Sequence, residues 1–184
     1  MPETKPTEII PEIIPTPEPL AGRFAALGIK AVTYAHPAVF TVEEGAGFKH
    51  RIPGGHTKNL FLKDKRGQLW LVTAHAETAV DLKSLPAKIG AARLSFGSAE
   101  RLRAALDVVP GSVTPLALIN DAAQQSVRFV LDRRLMEFDT INCHPLRNDR
   151  TTCMAPADLV RFIENLGYTV LITGLESAPQ AAEA

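Results

Sequence analysis

Two apolar runs, Asn59-Leu60-Phe61-Leu62-Lys63 and Leu69-Trp70-Leu71-Val72-Thr73, flank the polar turn Asp64-Lys65-Arg66-Gly67. This pattern predicts a β-hairpin in the middle of the chain, and the elements around it must be arranged to suit one. Upstream, Leu20, Phe24 and Leu27 have helical spacing and stop at Gly28, after which residues 31–35 alternate as a strand. Thr41-Val42-Glu43-Glu44 has the form of a capping box and predicts a short helix starting there. Downstream, helices are expected at 81–89 and 98–106, the second capped by Ser98, with the short apolar run 93–96 between them. Strands are then expected at 116–119, 127–131, 139–144, 151–154 and 168–172, the last two separated by a helix over 156–166 with proline in its first turn. Non-repeating strands and helices around a hairpin predict an α+β fold, a mixed, mostly antiparallel sheet packed by helices.

The chain has 184 residues, 46% of them hydrophobic and 22% charged, which suits one domain with a sizeable core and excludes collagen-like, disulfide-scaffold and wholly disordered classes. No stretch approaches the roughly 18 to 20 apolar residues of a spanning helix, and the start lacks a secretory pattern, so the expected location is cytoplasmic and away from membranes. Cys143 and Cys153 are too few for a disulfide framework and lack zinc-site spacing, so both are read as free thiols. Six prolines in the first nineteen residues predict that 1–19 is a flexible acidic tail, holding neither a continuous helix nor a paired strand, although Ile9-Ile10 and Ile13-Ile14 could dock on the domain or a partner. Residues 20–175 form the single expected domain, and 176–184 a second flexible tail.

Twenty basic and twenty acidic residues cancel formally, but the ends are acidic and leave the middle with a net charge of +5. Much of the excess lies in 49–66, where Lys49, Arg51, Lys58, Lys63, Lys65 and Arg66 accompany a single acid, Asp64. Such a run suits a polyanion such as RNA, but a run of this kind is usually just a solvated face.

Three segments carry residues that a core does not need. Ile52-Pro53-Gly54-Gly55-His56-Thr57-Lys58-Asn59 delivers Lys58 to a strand entrance, where it can bind phosphate as a point charge or be an ordinary surface lysine; the glycines fit neither a Walker loop nor a dinucleotide fingerprint. Val109-Pro110-Gly111-Ser112-Val113-Thr114-Pro115-Leu116 is a proline-framed loop whose amides at Gly111, Ser112, Val113 and Thr114 can hold a carbonyl oxygen or small anion, or merely form a tight turn. Ile141-Asn142-Cys143-His144-Pro145 ends a β-run at a histidine placed to hydrogen-bond a ligand. Strand neighbours point to opposite faces, so Cys143 is poorly placed to form a nucleophile pair with His144. His36, His50 and His75 are scattered without acidic clusters, so no metal site is expected.

Taken in order, Gly54-Gly55-His56-Thr57-Lys58-Asn59-Leu60-Phe61, Gly111-Ser112-Val113-Thr114-Pro115 and Asn142-Cys143-His144-Pro145-Leu146 closely resemble the prolyl-tRNA-synthetase-associated editing domains, the YbaK-like aminoacyl-tRNA deacylase family, over roughly residues 20–175. The resemblance implies the fold of that family and a carboxylic ester hydrolase without a cofactor. Within the family the chain looks most like the free-standing proteins that clear alanine from mischarged proline tRNA. With no synthetase catalytic or anticodon-binding domain visible, it is expected to act in trans. The implied partners are the acceptor end of aminoacylated tRNA(Pro) and prolyl-tRNA synthetase.

Carried onto matching positions, the resemblance implies that Lys58 binds the phosphate of the terminal adenosine. The loop Gly111-Ser112-Val113-Thr114-Pro115 would present its amides to the aminoacyl carbonyl, His144 would help hold the substrate, and Asn59 would assist at the edge of the site. The tRNA 2′-hydroxyl would assist the attacking water. A synthetase site built for proline rejects the smaller alanine weakly, because each missing methylene changes binding by only about 1 to 3 kcal/mol, whereas a second, smaller pocket admits alanine and excludes proline. Apolar residues near 40–48 and 116–119 are the candidates for its wall. Two other classes stay open: a non-catalytic module that binds aminoacyl-tRNA or a small ligand in the same cleft, and a hydrolase with Cys143 as nucleophile.

Overall fold

The computed structural model describes residues 10–40 and 42–177. The expected hairpin is its centre: β3 (Gly55–Asp64) and β4 (Leu69–His75) pair antiparallel from Thr57↔His75 to Lys63↔Leu69. Around it run β1 (Glu12–Ile14), α1 (Leu20–Leu27), β2 (Val32–Ala35), α2 (Val42–Lys49), α3 (Leu85–Ile89), β5 (Leu94–Phe96), α4 (Ala99–Leu106), β6 (Val127–Asp132), β7 (Ile141–Cys143), β8 (Arg150–Met154), α5 (Pro156–Asn165) and β9 (Val170–Thr173). Among the described residues the strands order as β1-β2-β8-β7-β3-β4-β6-β9, with β5 also paired to β3. Five of the eight pairings are antiparallel and three, β3–β7, β4–β6 and β6–β9, are parallel. The fold is therefore the mixed, mostly antiparallel α+β sheet that the sequence predicts.

Continuous apolar runs in the hairpin reflect burial on both faces. Leu71, Val127, Phe129 and Leu131 face a core closed by α1, α4 and α5 through Leu20, Phe24, Leu102, Leu106, Leu159 and Phe162. Leu62, Trp70, Val72, Ala74 and Val130 face the other way, onto Leu85 and Ile89 of α3. At the hairpin turn Asp64 is 2% exposed, and its carboxylate accepts bonds from the Arg66 amide at 2.9 Å, the Gln68 amide at 3.0 Å, the Ala92 amide at 3.2 Å and the Trp70 indole at 3.4 Å. Burial alone would raise its carboxyl, but those donors outweigh it and hold the group below the usual aspartate range.

Several expected elements are corrected. Residues 116–119 are not a strand: Pro115–Asn120 is a 3-10 helix, begun by the fixed φ of Pro115 and capped by Thr114, whose Oγ1 accepts from the Leu116 amide at 3.3 Å. The 1–19 stretch does hold a paired strand, because Glu12–Ile14 fits between Pro11 and Pro15 at the sheet edge, where an imino acid costs no ladder bond. In the same stretch, Thr16 bonds to Thr33 at 2.8 Å, and Ile10 and Ile13 stay exposed. The 81–89 helix shortens to Leu85–Ile89 because the Asp81 carboxylate takes the Lys83 and Ser84 amides in a turn. The strand expected at 139–144 is limited to Ile141–Cys143. Glu176 and Ser177, assigned to the C-terminal tail, are tied to the domain: Val80 bridges to Glu176, and the Ser177 amide donates to Ala79 at 3.0 Å.

Ser98 caps α4 as expected, accepting from the Arg101 amide at 3.2 Å. Thr41, the expected cap of α2, and Ile9 lie outside the described residues, as do 178–184; Glu44 reaches back to the Phe40 amide at 2.7 Å.

Asp64→Ala should lower stability by about 2 to 4 kcal/mol in denaturant unfolding, since buried donors lose their acceptor. Because the folded carboxyl is held below its unfolded value, its contribution is fully present above about pH 4 and disappears as pH falls from there through the folded value. The Ala variant should lack that part of the wild-type acid destabilisation.

Candidate active site

Gly54 and Gly55 place the entrance of β3 against β7. Gly54 has φ +98°, a conformation suited to glycine, and a Cβ there would overlap the Thr140 carbonyl; one on Gly55 would come within 2.9 Å of the Phe138 ring. With both side chains absent, the Gly55 amide donates to Thr140 at 2.9 Å, and β3 lies parallel to β7 through Gly55↔Ile141 and His56↔Asn142. Thr57 Oγ1 then donates to the Asn142 carbonyl at 2.6 Å, fastening the two strands just where they part. Farther along the same edge, β5 pairs only with Leu62–Asp64. Among the described residues no strand covers that edge of β3 between His56 and Phe61, and a cleft occupies the gap.

The cleft has a volume of about 170 Å³. Thr57, Lys58 and Asn59 of β3 form its floor, Lys49 at the end of α2 and His144 just after β7 flank it, and Val39, Phe40, Gly111 and Val113 close it from two loops. Lys58 has no ion pair among the described residues. Asn59 Oδ1 is fixed by the Thr73 hydroxyl at 2.6 Å, so the amide is held in one orientation. A smaller chamber of about 40 Å³ adjoins the cleft, sharing Lys49, Thr57 and His144 with it and reaching His56, Asn142 and Thr151.

His144 Nδ1–H donates to the Arg150 carbonyl at 3.0 Å, which leaves Nε2 as the acceptor of the neutral ring. Burial pushes its pKa down, and the charges of Lys49 and neighbouring His36 act in the same direction, so the ring is neutral at pH 7. Asn142 links the strand ends beneath it, donating to His56 Nδ1 at 3.2 Å and accepting from the Cys153 thiol at 2.7 Å. His36 is held by the Pro37 carbonyl and Thr151 hydroxyl, both at 2.8 Å, and stacks on Phe48. Its ring centroid lies 6.4 Å from that of His144. Cys143 is 1% exposed and its thiol is pushed up to about 12 by burial, so it is no thiolate at neutral pH and the cysteine-nucleophile reading falls. No group of three or more metal-ligating side chains occurs among the described residues.

The structure narrows the loop assignment. Gly111 and Val113 reach the cleft, and their amides and that of Thr114 carry no intramolecular bond among the described residues. Ser112 does not offer its amide as expected: that N–H closes a turn onto the Val109 carbonyl at 3.0 Å, and the side chain is buried. Thr114 and Pro115 are buried as the start of the 3-10 helix. Of the candidate pocket wall, Phe40 lines the cleft, whereas Leu116–Leu118 belong to the core and Phe48 packs beneath His36.

Sequence reasoning did not assign Lys49 to the site. Its neighbour four residues earlier explains the placement: a Cβ at Gly45 would overlap the Lys49 chain and stand 2.8 Å from Nζ, so the glycine lets the ammonium fold back along α2 toward the cleft. The Gly45–Lys49 spacing was the available signal. Val39 was also missed, and nothing local distinguishes it from a core residue.

Known proteins are similar to this chain in sequence and in fold. The family model described as "Aminoacyl-tRNA editing domain" matches residues 36–162. "Prolyl-tRNA synthetase associated domain-containing protein 1" of Danio rerio is 40% identical over 152 residues, covering 82% of each chain. "Prolyl-tRNA editing protein ProX" of Acetoanaerobium sticklandii is 34% identical over 144 residues, covering 78% of this chain and 87% of that one. A crystal structure described as a candidate trans-editing enzyme for prolyl tRNA synthetase superposes with a TM-score of 0.65 at 19% identity, covering 91% of this chain and all of the other. With the matched segment enclosing Lys58, the 111–113 loop and His144 alike, this chain belongs to the aminoacyl-tRNA editing domain family, hydrolases that deacylate aminoacyl-tRNA.

Proposed function

We propose that the chain acts in trans on mischarged tRNA(Pro), releasing alanine by attack of water on the ester, with Lys58, His144 and the 111–113 amides as its working parts. The observation that carries this reading is the meeting, across one small cleft, of a lysine on an open strand edge with Gly111 and Val113, whose amides carry no intramolecular bond among the described residues. An aminoacyl ester is already activated, so its hydrolysis needs positioning and oxyanion stabilisation more than a strong protein nucleophile. In this reading Lys58 holds the phosphate of the terminal adenosine and so fixes the ribose.

Water, hydrogen-bonded to the vicinal 2′-hydroxyl, adds to the carbonyl carbon. The developing oxyanion sits on the loop amides, the bond to the ribose 3′-oxygen breaks, and that oxygen leaves with a proton as the free hydroxyl. Neutral His144 accepts a hydrogen bond through Nε2 from the substrate, and Asn59 steadies the edge of the site. Phe40, 68% exposed on the lip beside Gly111, offers an aromatic face for the terminal base. Lys49 adds a second positive charge for the phosphate. The narrow cleft suits a methyl side chain better than a pyrrolidine ring, which spares the correctly charged product.

The deciding experiment is release of labelled amino acid from Ala-tRNA(Pro), with Pro-tRNA(Pro) and Ser- and Cys-charged tRNAs run beside it. Selective loss of alanine is expected; loss of serine or cysteine instead would move the specificity and keep the reaction. Saturable tRNA binding without release of any amino acid would establish a non-catalytic module. Lys58→Ala should lower kcat/KM about 100-fold or more with an unchanged unfolding midpoint, the scale of losing one preorganised electrostatic contact. Unaltered turnover would remove the lysine from the mechanism.

Gly45→Ala, which displaces the Lys49 ammonium, should raise KM about three- to tenfold with little change in kcat. A loss confined to kcat would contradict a binding role. Because burial lowers the His144 pKa, its neutral form persists below the ordinary imidazole value of about 6.5, and activity should fall only as pH drops through that lowered value. An acid limb centred at or above 6.5 in the kcat/KM profile would exclude neutral His144 as the controlling group.

A further inference from the structure

The turn end of the hairpin gathers cations that the site above does not use. Lys63 ends the part of β3 paired with β4, Lys65 and Arg66 stand in the turn, and the Lys65 amide donates to the Arg93 carbonyl at 2.9 Å, which draws Arg93 alongside. On the other flank Arg128 of β6 is in register with Trp70 of β4, and its guanidinium lies 5.5 Å from the Trp70 ring centroid. None of these five side chains has an ion pair or hydrogen bond among the described residues. The neighbouring acid, Asp64, is buried, and its carboxylate is engaged by four donors of the turn and its surroundings. A concavity of about 420 Å³ opens between the flanks, with Arg66, Gly67, Gln68, Trp70, Ser126 and Arg128 in its walls.

The geometry points to this basic end as a second anchor for the substrate, a surface that takes the phosphate backbone of the tRNA stem while the cleft holds the aminoacylated end. This rests on the reading of the chain as a tRNA deacylase. Lys65 is seven residues along from Lys58, about 23 Å at the strand rise, so the two anchors address different parts of one acceptor arm. Cations from the turn, the loop before β5 and strand β6 converge there on a hairpin end pinned by Asp64, so the charges have a fixed spacing rather than that of a mobile tail. Phosphate contacts of this kind set register and affinity without reading sequence.

The test is the triple variant Lys65→Ala/Arg66→Ala/Arg93→Ala, assayed for binding of uncharged full-length tRNA and for deacylation of two substrates, full-length aminoacyl-tRNA and a short aminoacylated 3′-terminal oligonucleotide. Near 0.1 M salt the Kd and KM for full-length tRNA should rise about tenfold or more. The slope of log Kd against log salt should flatten by about two, close to the 0.7 to 0.9 per neutralised phosphate expected for three contacts. KM and kcat for the short oligonucleotide should not change. An unaltered full-length Kd and salt slope would overturn the assignment and leave the patch to another anionic partner, such as an acidic protein; equal losses on both substrates would also overturn it, placing the defect in the cleft. If the triple variant is unstable, Arg128→Gln and Lys65→Ala measured singly carry the same comparison. Because binding of uncharged tRNA needs no chemistry, a wild-type protein that binds tRNA through these residues and releases no amino acid would sink the deacylase reading and leave the anchor standing.

Discussion

The close approach of β3 and β7 at Gly54 and Gly55 is the constraint on which the site depends. A side chain at either position would run into Thr140 or Phe138, so the parallel contact exists only because two consecutive residues lack one. The contact is two residues long, and that brevity matters as much as its existence. β7 stops at Cys143 while β3 continues to Asp64, so the longest strand in the sheet keeps an uncovered edge immediately beyond the junction. His144 is set at one side of the resulting gap by the end of β7, and Lys58 is set on its floor by the continuation of β3. A longer β7 would fill the gap with a paired strand, and without the junction the two residues would have no common reference.

The rest of the fold makes this open edge tolerable. Both faces of the hairpin are buried, one under α1, α4 and α5 and the other under α3, and β4 covers the opposite edge of β3 along seven residues. A strand held on three sides can leave part of its fourth exposed without loosening. The loops that cover the gap are themselves tied to the core: the 3-10 helix at Pro115–Asn120 buries Leu116, Ala117 and Leu118, so the preceding amides at Gly111 and Val113 are carried by a fixed support. Between them, the Ser112 amide closes a turn onto the Val109 carbonyl.

The hairpin, the sheet class, the helices at 20–27, 99–106 and 156–165, and the three segments that converge on the cleft were legible because each rests on local chemistry: apolar runs, caps, proline and glycine at element ends. Element type failed where an apolar run was too short to show a period. Residues 116–119 are as apolar as a strand, and what made them a 3-10 turn was Pro115 together with the Thr114 cap. The strand at Glu12–Ile14 was hidden because prolines argue against a ladder, yet they stand on either side of it and leave three residues free to pair at an edge. Of the site, Lys58, Asn59, Gly111, Val113 and His144 come together, but which loop amides are consumed by turns and which carry no bond among the described residues is a matter of backbone path. Lys49 depended on a missing methyl at Gly45, a contact between residues that sequence reading treats as unrelated.

Formal neutrality also conceals how charge is distributed. Of the twenty acidic residues, Asp64, Asp121 and Asp132 are at most 2% exposed and act as internal hydrogen-bond acceptors. Asp121 takes the Ser126 and Tyr168 hydroxyls and the Val127 amide, and Asp132 takes the His75 and Arg134 amides and the Thr78 hydroxyl. Each ties a turn to a neighbouring strand, work that the negative charge does well because amide and hydroxyl donors converge on it. These three charges sit inside the scaffold, whereas Lys65, Arg66 and Arg93 stand exposed at the surface and Lys58 is half-buried in the cleft. Counting residues therefore does not describe how charge is spread over the surface, and a chain with equal numbers of acids and bases can present a basic edge to a polyanion when part of its acid is used inside the scaffold.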